Sequence, residues 1–470
     1  MLSVKRPIVT ADQLRLIEAD FAATMAACAH LGVNHTPPPL ITALSGGADS
    51  TALCLLAARY AARHNMSHRA IIIDHGLRSD SSAEAARVAA RMATHDIPVD
   101  IMRIHQSPVG GGIQEWARHV RYDALLAVAR RDDACLLFGH HAGDQAETIA
   151  MRLARGSGLS GLAGMAVTSW FHDVKLLRPM LAWPATTAVA VCDALGVAFE
   201  ADPSNQDRRY ERVRMRAMLA ADHASQGPDS AALSSCLTRL AGLSARLCNA
   251  IDHPLSVYEP VIHPAGYAVI GPHHLGELPV NMWNRLMARL IRTIAAQPYP
   301  PAATALARLR RRFHEQQAAT LGGCKFTPDA GQILVTREIG RQPIELDVSA
   351  GELVLFDNLW RIKAPVAGTL RPAAMPPQNR PDSAEKSPMW DHIRKNVPQQ
   401  ARIAIPVLDT LDGGRLYPQL TTKMPVMPNG VENEDVFSAH FIFGNMMSGR
   451  VIAEQDATAK AEAIRVSAAV

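Results

Sequence analysis

Two serines, two glycines and an aspartate crowd into Ser45-Gly46-Gly47-Ala48-Asp49-Ser50, between an apolar run at 39–44 and a leucine-rich helical pattern at 50–64. Glycines let a backbone close on an anion, and a helix N-terminus aims N–H groups and positive dipole at it. The hydroxyls of Ser45 and Ser50 can add donors. Asp49 would repel a bare phosphate, so its place there makes sense if Mg²⁺ bridges the carboxylate to the phosphates. The turn has no lysine. A second polar set, Gly139-His140-His141-Ala142-Gly143-Asp144-Gln145-Ala146-Glu147-Thr148, follows the apolar run 134–138. Asp144 and Glu147 are spaced i, i+3 at a helix start, so both can face one site and bind a cation or take a proton. His140, directly after the strand end, is the expected catalytic member of its pair. Arg118, on a helical stretch Gln114–Tyr122, offers a fixed fork of donors for developing negative charge. The competing structural readings are a plain polar turn at 45–50 and solvated helix faces for Arg118 and Glu147. A metal site at His140-His141 would need a further Cys or His at ligand spacing, and there is none.

Elements must bring these residues together. Short apolar runs at 39–44, 69–73, 99–104 and 134–138 alternate with helical patterns at 50–64, 82–95, 112–131 and 144–154. Four βα repeats predict a parallel sheet covered on both faces, with its ligand beyond the carboxyl ends of the strands. Each polar motif comes after a strand.

The rest of the chain is organised differently. A length of 470 residues exceeds one compact core. Residues 207–320 read as mostly helical, with Trp283, Leu286, Met287, Leu290 and Ile291 at helical spacing and a Pro/Gly break at 254–280. Beyond Leu321-Gly322-Gly323 come runs of β-formers at 332–336, 353–356 and 403–405, and a Pro-rich loop at 372–388. No apolar run reaches the ~18 residues that span a bilayer, and no signal-peptide core follows Met1, which predicts a cytoplasmic protein without membrane contact. The seven scattered cysteines form no Cys-x-x-Cys pair and read as small buried hydrophobes. The net charge of +4 does not by itself indicate nucleic acid.

The Ser-Gly-Gly-x-Asp-Ser turn resembles the pyrophosphate loop (PP-loop) of enzymes that cleave ATP between its α- and β-phosphates. Further motifs follow in order: Ile73-Asp74-His75-Gly76-Leu77-Arg78, Gln114–Tyr122, Gly139–Thr148, Arg155–Leu162, Arg178-Pro179-Met180-Leu181 and Asp202-Pro203-Ser204-Asn205. In this order they are similar to the tRNA(Ile)-lysidine synthase family, strongly over residues 39–216 and more weakly over 320–338. The resemblance implies an α/β PP-loop domain at 1–215, a mainly helical tRNA-binding domain at 216–320 and a C-terminal α+β domain at 321–470. It implies ATP bound by residues 45–50, Mg²⁺ held by Asp49 and Asp144, and catalytic roles for Asp49, Arg118, His140, Asp144 and Glu147. The implied reaction adenylates the C2 oxygen of the wobble cytidine in the isoleucine tRNA with a CAU anticodon. An amine of free lysine then attacks C2 and releases AMP. Two positions depart from the family pattern: Gly143 stands where an aspartate is usual, and Val213 where an asparagine is usual.

Two basic clusters are expected to contact tRNA phosphates: Arg208, Arg209, Arg212, Arg214 and Arg216, and then Arg308, Arg310, Arg311 and Arg312. Standing alone, each would read as ordinary helix charge. A thiolating relative would typically carry Cys-x-x-Cys, and an amidating one a glutaminase motif; this chain has neither. A tRNA-binding homologue weakened through Gly143 and Val213 is the reading from another class, and the retained Asp49, Asp144 and Glu147 count against it. A homodimer is compatible with the sequence.

Overall fold

All four residues of strand β1 (Leu40–Ala43) are buried, as expected of a strand covered on both faces. A computed structural model describes residues 10–29, 37–76, 80–104, 113–200, 214–219, 231–255, 260–271, 278–297, 299–329, 331–340, 343–374, 387–421 and 438–441. The chain divides into two compact units, 1–250 and 251–470.

In the first unit β1 is followed by α2 (Ala48–Arg63), β2 (His68–Asp74), α3 (Ser81–Ala93), β3 (Val99–Arg103), α4 (Ile113–Arg131), β4 (Cys135–Leu137) and α5 (Ala142–Ala154). A helix α1 (Ala11–Ala29) precedes β1. After a short α6 (Leu159–Leu162) come a hairpin, β5 (Thr168–Phe171) and β6 (Val174–Leu177), and then α7 (Ala185–Ala194). The sheet order is β3-β2-β1-β4-β6-β5, parallel except for the β5–β6 pair at one edge. The order reverses at β1, so the carboxyl ends of β1 and β4 open a crevice where such sheets bind ligands. Apolar clusters pack on both faces: Phe21, Leu53, Leu56 and Trp183 in one, Ile41, Leu125, Leu136 and Phe138 in another.

The second unit is α+β. A five-stranded antiparallel sheet, in the order β7 (Val261–His263), β8 (Tyr267–Ile270), β11 (Gln332–Arg337), β10 (Cys324–Asp329), β9 (Ala319–Leu321), packs with helices Val280–Ala295 and Ala303–His314. Two four-stranded sheets follow, drawn from residues 346–441. β8 pairs with β11, so residues on both sides of position 320 share one sheet. The expected run 403–405 is a turn in which Ile405 is buried, and the strand starts at Pro406. Most of the Pro-rich segment, 375–386, lies outside the described residues. Six of the seven cysteines are buried and Cys236 is exposed.

Candidate active site

The turn after β1 is held closed by its own hydroxyls. Ser50 Oγ donates to the Gly47 carbonyl at 3.1 Å and accepts the Ser45 N–H at 3.1 Å. Its single proton is thereby used, so the Ser45 hydroxyl donates to Ser50 Oγ at 3.0 Å. Thr51 Oγ1 closes a further bond to the Gly46 carbonyl at 3.3 Å. Both serine hydroxyls thus bond within the turn, and backbone N–H groups at the start of α2 face an anion beside them. Gly46 has φ +86°, and a Cβ there would lie 2.8 Å from Val88 Cγ2 on α3. Gly139, just past β4, is pressed equally close: a Cβ would meet the Asp49 carbonyl at 2.9 Å. Both glycines are required by close approach, and the two strand ends therefore share one site. From outside, the Glu200 N–H donates to the Gly46 carbonyl at 2.9 Å while its carboxylate pairs with Arg91 at 2.9 Å.

Facing Asp49 is the first turn of α5. His141 is its N-cap, in extended conformation, and its Nδ1 accepts the Gly143 N–H at 3.0 Å. That bond leaves the proton of a neutral ring on Nε2, which lies 3.9 Å from Asp49 Oδ2 and 3.6 Å from Asp144 Oδ2. Asp144 completes the capping box by accepting the His141 N–H at 3.1 Å. Burial, and next the like charge of Asp144, push the Asp49 carboxyl above its ordinary range, while His141 and Arg216 pull it down. His141 thus brings its ring to the carboxylates, and His140, the expected catalytic member of the pair, has its ring centre 5.8 Å from that of Phe138. Gly143 also has a local consequence, because a Cβ there would come within 2.7 Å of the His141 ring.

Glu147 is brought to the same place but is already engaged. Its side chain is 3% exposed, and Arg216 holds it through Nε at 2.6 Å and Nη2 at 3.4 Å. Arg216 Nη2 also lies 3.9 Å from Asp144 Oδ1. An arginine expected on the tRNA surface therefore belongs to the carboxylate cluster. Arg214 is exposed, and Arg208, Arg209 and Arg212 lie outside the described residues, as does Val213.

Arg118 stands apart from these carboxylates. It is exposed on α4, with its guanidinium 5.1 Å from the centre of the Tyr122 ring, which stacks on Phe138 at 5.1 Å. Among the described residues no carboxylate forms an ion pair with Arg118, Arg121 or Arg178. Burial lowers the guanidinium pKa of Arg121 and Arg178, and Arg118 acts in the same direction on both. These arginines form a basic wall near the carboxyl end of β4. Asp74, from the motif after β2, serves the fold by accepting Ser81 Oγ at 2.7 Å, Ser82 Oγ at 2.5 Å and the Gly76 N–H at 3.0 Å. These bonds outweigh burial and hold its carboxyl below the usual range.

In the second unit the basic cluster splits. Arg310 donates to the Leu278 carbonyl at 2.8 Å and lies 5.8 Å from the Trp283 ring centre, so it packs inward. Arg308, Arg311 and Arg312 are exposed and, at i, i+3, i+4, share one helix face. Sequence spacing did not reveal that His141 and Arg216 lie beside the carboxylates; the only local signal was the helix start that makes His141 a cap. Among the described residues no group of three or more His, Cys, Asp or Glu could hold a metal, and no helix is long and apolar enough to cross a membrane.

Residues 21–222 match a PP-loop domain. The chain is 34% identical over 340 residues to the tRNA(Ile)-lysidine synthase of Ruegeria pomeroyi, spanning 71% of this chain and 79% of that one. It is 38% identical over 306 residues to the enzyme of that name from Salinispora tropica, at 63% of this chain and 90% of the relative. Over 186 residues it is 46% identical to that of Novosphingobium aromaticivorans, at 39% and 56%.

Proposed function

The chain belongs to the tRNA(Ile)-lysidine synthase family, and we propose that it joins free L-lysine to the wobble cytidine of the CAU-anticodon isoleucine tRNA at the expense of ATP. The observation that carries this reading is the facing of two helix starts. The glycine turn that opens α2 presents Asp49, and the first turn of α5 presents His141 and Asp144, with the His141 ring within 4 Å of both carboxylates.

In the first step the cytidine C2 oxygen attacks the α-phosphorus of ATP, and the bond to the β-phosphate breaks. The N–H groups at the start of α2 receive the pyrophosphate that leaves, with the helix dipole behind them. Arg118, Arg121 and Arg178 supply the positive wall for charge that builds on the adenylate oxygens. In the second step an amine of lysine attacks C2. The C2–O bond breaks, AMP leaves with the oxygen, and the amine sheds a proton. Asp144 is the group placed to accept that proton and to hold a lysine ammonium, with the His141 Nε2–H directed at it. Net, the cytidine exchanges its C2 oxygen for a lysine nitrogen, with AMP and pyrophosphate released.

The donor set fits Mg²⁺. That ion is usually held by one or two carboxylates plus substrate phosphates, and Asp49 and Asp144 stand beside a phosphate-binding turn. Bound there, Mg²⁺ would draw negative charge from the ATP phosphates. On the second unit, the exposed face of Arg308, Arg311 and Arg312 suits contact with the tRNA backbone. We place the protein in the cytoplasm, where its substrates are made, and a homodimer remains a proposal for solution measurement.

The reading is tested by following AMP release from ATP with CAU-anticodon tRNA, with and without lysine. Release should require the tRNA, and product should require lysine. AMP release that ignores the tRNA would overturn the proposal.

A further inference from the structure

Resting on the reading that the turn at 45–50 receives the pyrophosphate of ATP, we propose that Glu200 and Arg91 are positioning residues for that turn. Together they hold the Gly46 carbonyl outward and so aim the Gly47 N–H at the anion. A trans peptide points its C=O and its N–H to opposite sides. The Gly46 carbonyl accepts the Glu200 N–H at 2.9 Å and Thr51 Oγ1 at 3.3 Å, which turns the Gly47 N–H of the same peptide the other way. The Gly47 carbonyl accepts Ser50 Oγ at 3.1 Å and the Thr51 N–H at 3.0 Å, with the same consequence for the Ala48 N–H. Glycine has little conformational preference of its own, so contacts must impose these orientations. Ser50 and Thr51 belong to the turn and α2 themselves. Glu200 is the contact supplied from elsewhere in the chain.

What fixes Glu200 is an ion pair to α3. Its Oε1 lies 2.9 Å from Arg91 Nη2 and 3.9 Å from Arg87 Nε. The Arg91 and Glu200 side chains are each 24% exposed, so the pair is partly shielded from solvent and stronger than an open surface pair. The same helix sets Val88 against Gly46, and Val88 and Val197 share one apolar cluster. On α7, Cys192 Sγ donates to the Ala48 carbonyl at 3.6 Å. The turn is therefore gripped from α3 and from the chain that leaves α7. Gly47 is the N-cap of α2 and has no side chain to compete with an anion for the first N–H groups of that helix.

The test is titration calorimetry of the intact chain with inorganic pyrophosphate and Mg²⁺, beside steady-state AMP release with CAU-anticodon tRNA. Glu200→Ala keeps the backbone N–H but loses its anchor on α3, and Arg91→Ala removes the anchor from the other side. Circular dichroism reports whether each is folded, and the nearly isosteric Glu200→Gln and Arg91→Gln replace any alanine variant that is not. Each should weaken pyrophosphate binding about tenfold, the lower end of what one hydrogen bond to a charged group contributes. The KM for ATP should rise by the same factor while kcat moves by less than about twofold, because the phosphate oxygens are charged before and during the reaction. The double variant should bind no more weakly than the singles, and Arg91→Lys, which keeps the charge, should recover most of the affinity. A pair that serves stability alone would lower the melting temperature and leave pyrophosphate affinity where it was. Unchanged affinity in the folded single variants, or additive losses in the double, overturns the proposal. Wild-type protein that binds no pyrophosphate would instead overturn the reading of the turn itself.

Discussion

Replacing Gly46 by alanine tests how the pyrophosphate turn is built. The residue has φ +86°, a conformation that costs an L side chain roughly 1–2 kcal/mol. The new Cβ would also sit 2.8 Å from Val88 Cγ2, whereas its 3.5 Å approach to Glu200 Cγ is ordinary contact. Val88 is 2% exposed and lies within α3, where a β-branched side chain has essentially one rotamer, so the methyl cannot swing away. Overpacking of this kind costs about 1–3 kcal/mol, and the single variant should lose about 2–5 kcal/mol in all. Val88→Ala alone should cost about 1.5–2 kcal/mol for the apolar groups removed. In the double variant the clash disappears while the backbone cost stays. Urea denaturation of the four proteins should therefore show a coupling of about 1–3 kcal/mol in favour of the pair. Additivity within about 0.5 kcal/mol would refute the packing argument. AMP formation should fall in Gly46→Ala and recover only partly in the double variant, because the turn stays strained.

Asp49→Asn should abolish AMP formation yet raise the melting temperature near neutral pH. The carboxyl is held above its ordinary value, so the native state disfavours the charged form and loses stability as pH rises through the folded pKa. The difference should vanish once the carboxyl is protonated in both folded and unfolded chains in acid; a stabilised difference there, or none at neutral pH, would count against it. Desolvation of the part-buried His68 ring lowers its pKa from 6.5 to about 4, and that of His263 likewise. Below pH 6.5 the unfolded chain takes up protons that the native state refuses, so stability should fall as pH drops from about 6.5 to 4. His68→Gln should flatten part of that fall in a series of thermal melts. Replacing Arg308, Arg311 and Arg312 by alanine should reduce the salt dependence of tRNA binding by a log–log slope of about 0.7–0.9 for each phosphate no longer neutralised, with ATP affinity unaltered. Arg310→Ala should instead lower the melting temperature, because it packs on Trp283.

What the sequence revealed and what it concealed differ by the kind of information each needed. The βα order at 39–154 was legible because short apolar runs, turn residues and helical spacing all agree locally, and the ends matched within two residues at β1 to β4. The placement of Asp49 and Asp144 at facing helix starts followed from that order. The position of the His141 ring between Asp49 and Asp144 was not legible, since it depends on the extended backbone of the α5 cap and on a ring turned back to Gly143. Nor was Arg216, which finds Glu147 across 69 residues; spacing carries no trace of such a contact. Composition grouped Arg310 with its basic neighbours, and only the position of Trp283 separates it. The β5–β6 hairpin and α1 went unread; each hairpin strand is four residues long, and Lys175 interrupts the apolar run of β6.

The most direct test of the central claim is mass analysis of the nucleosides from CAU-anticodon isoleucine tRNA incubated with the protein, ATP, Mg²⁺ and lysine. The account predicts that the wobble cytidine gains one lysine with the loss of one water, and that a tRNA with uridine at that position is left unchanged. An unmodified cytidine after AMP has formed, or lysine found on any other nucleotide, would contradict it.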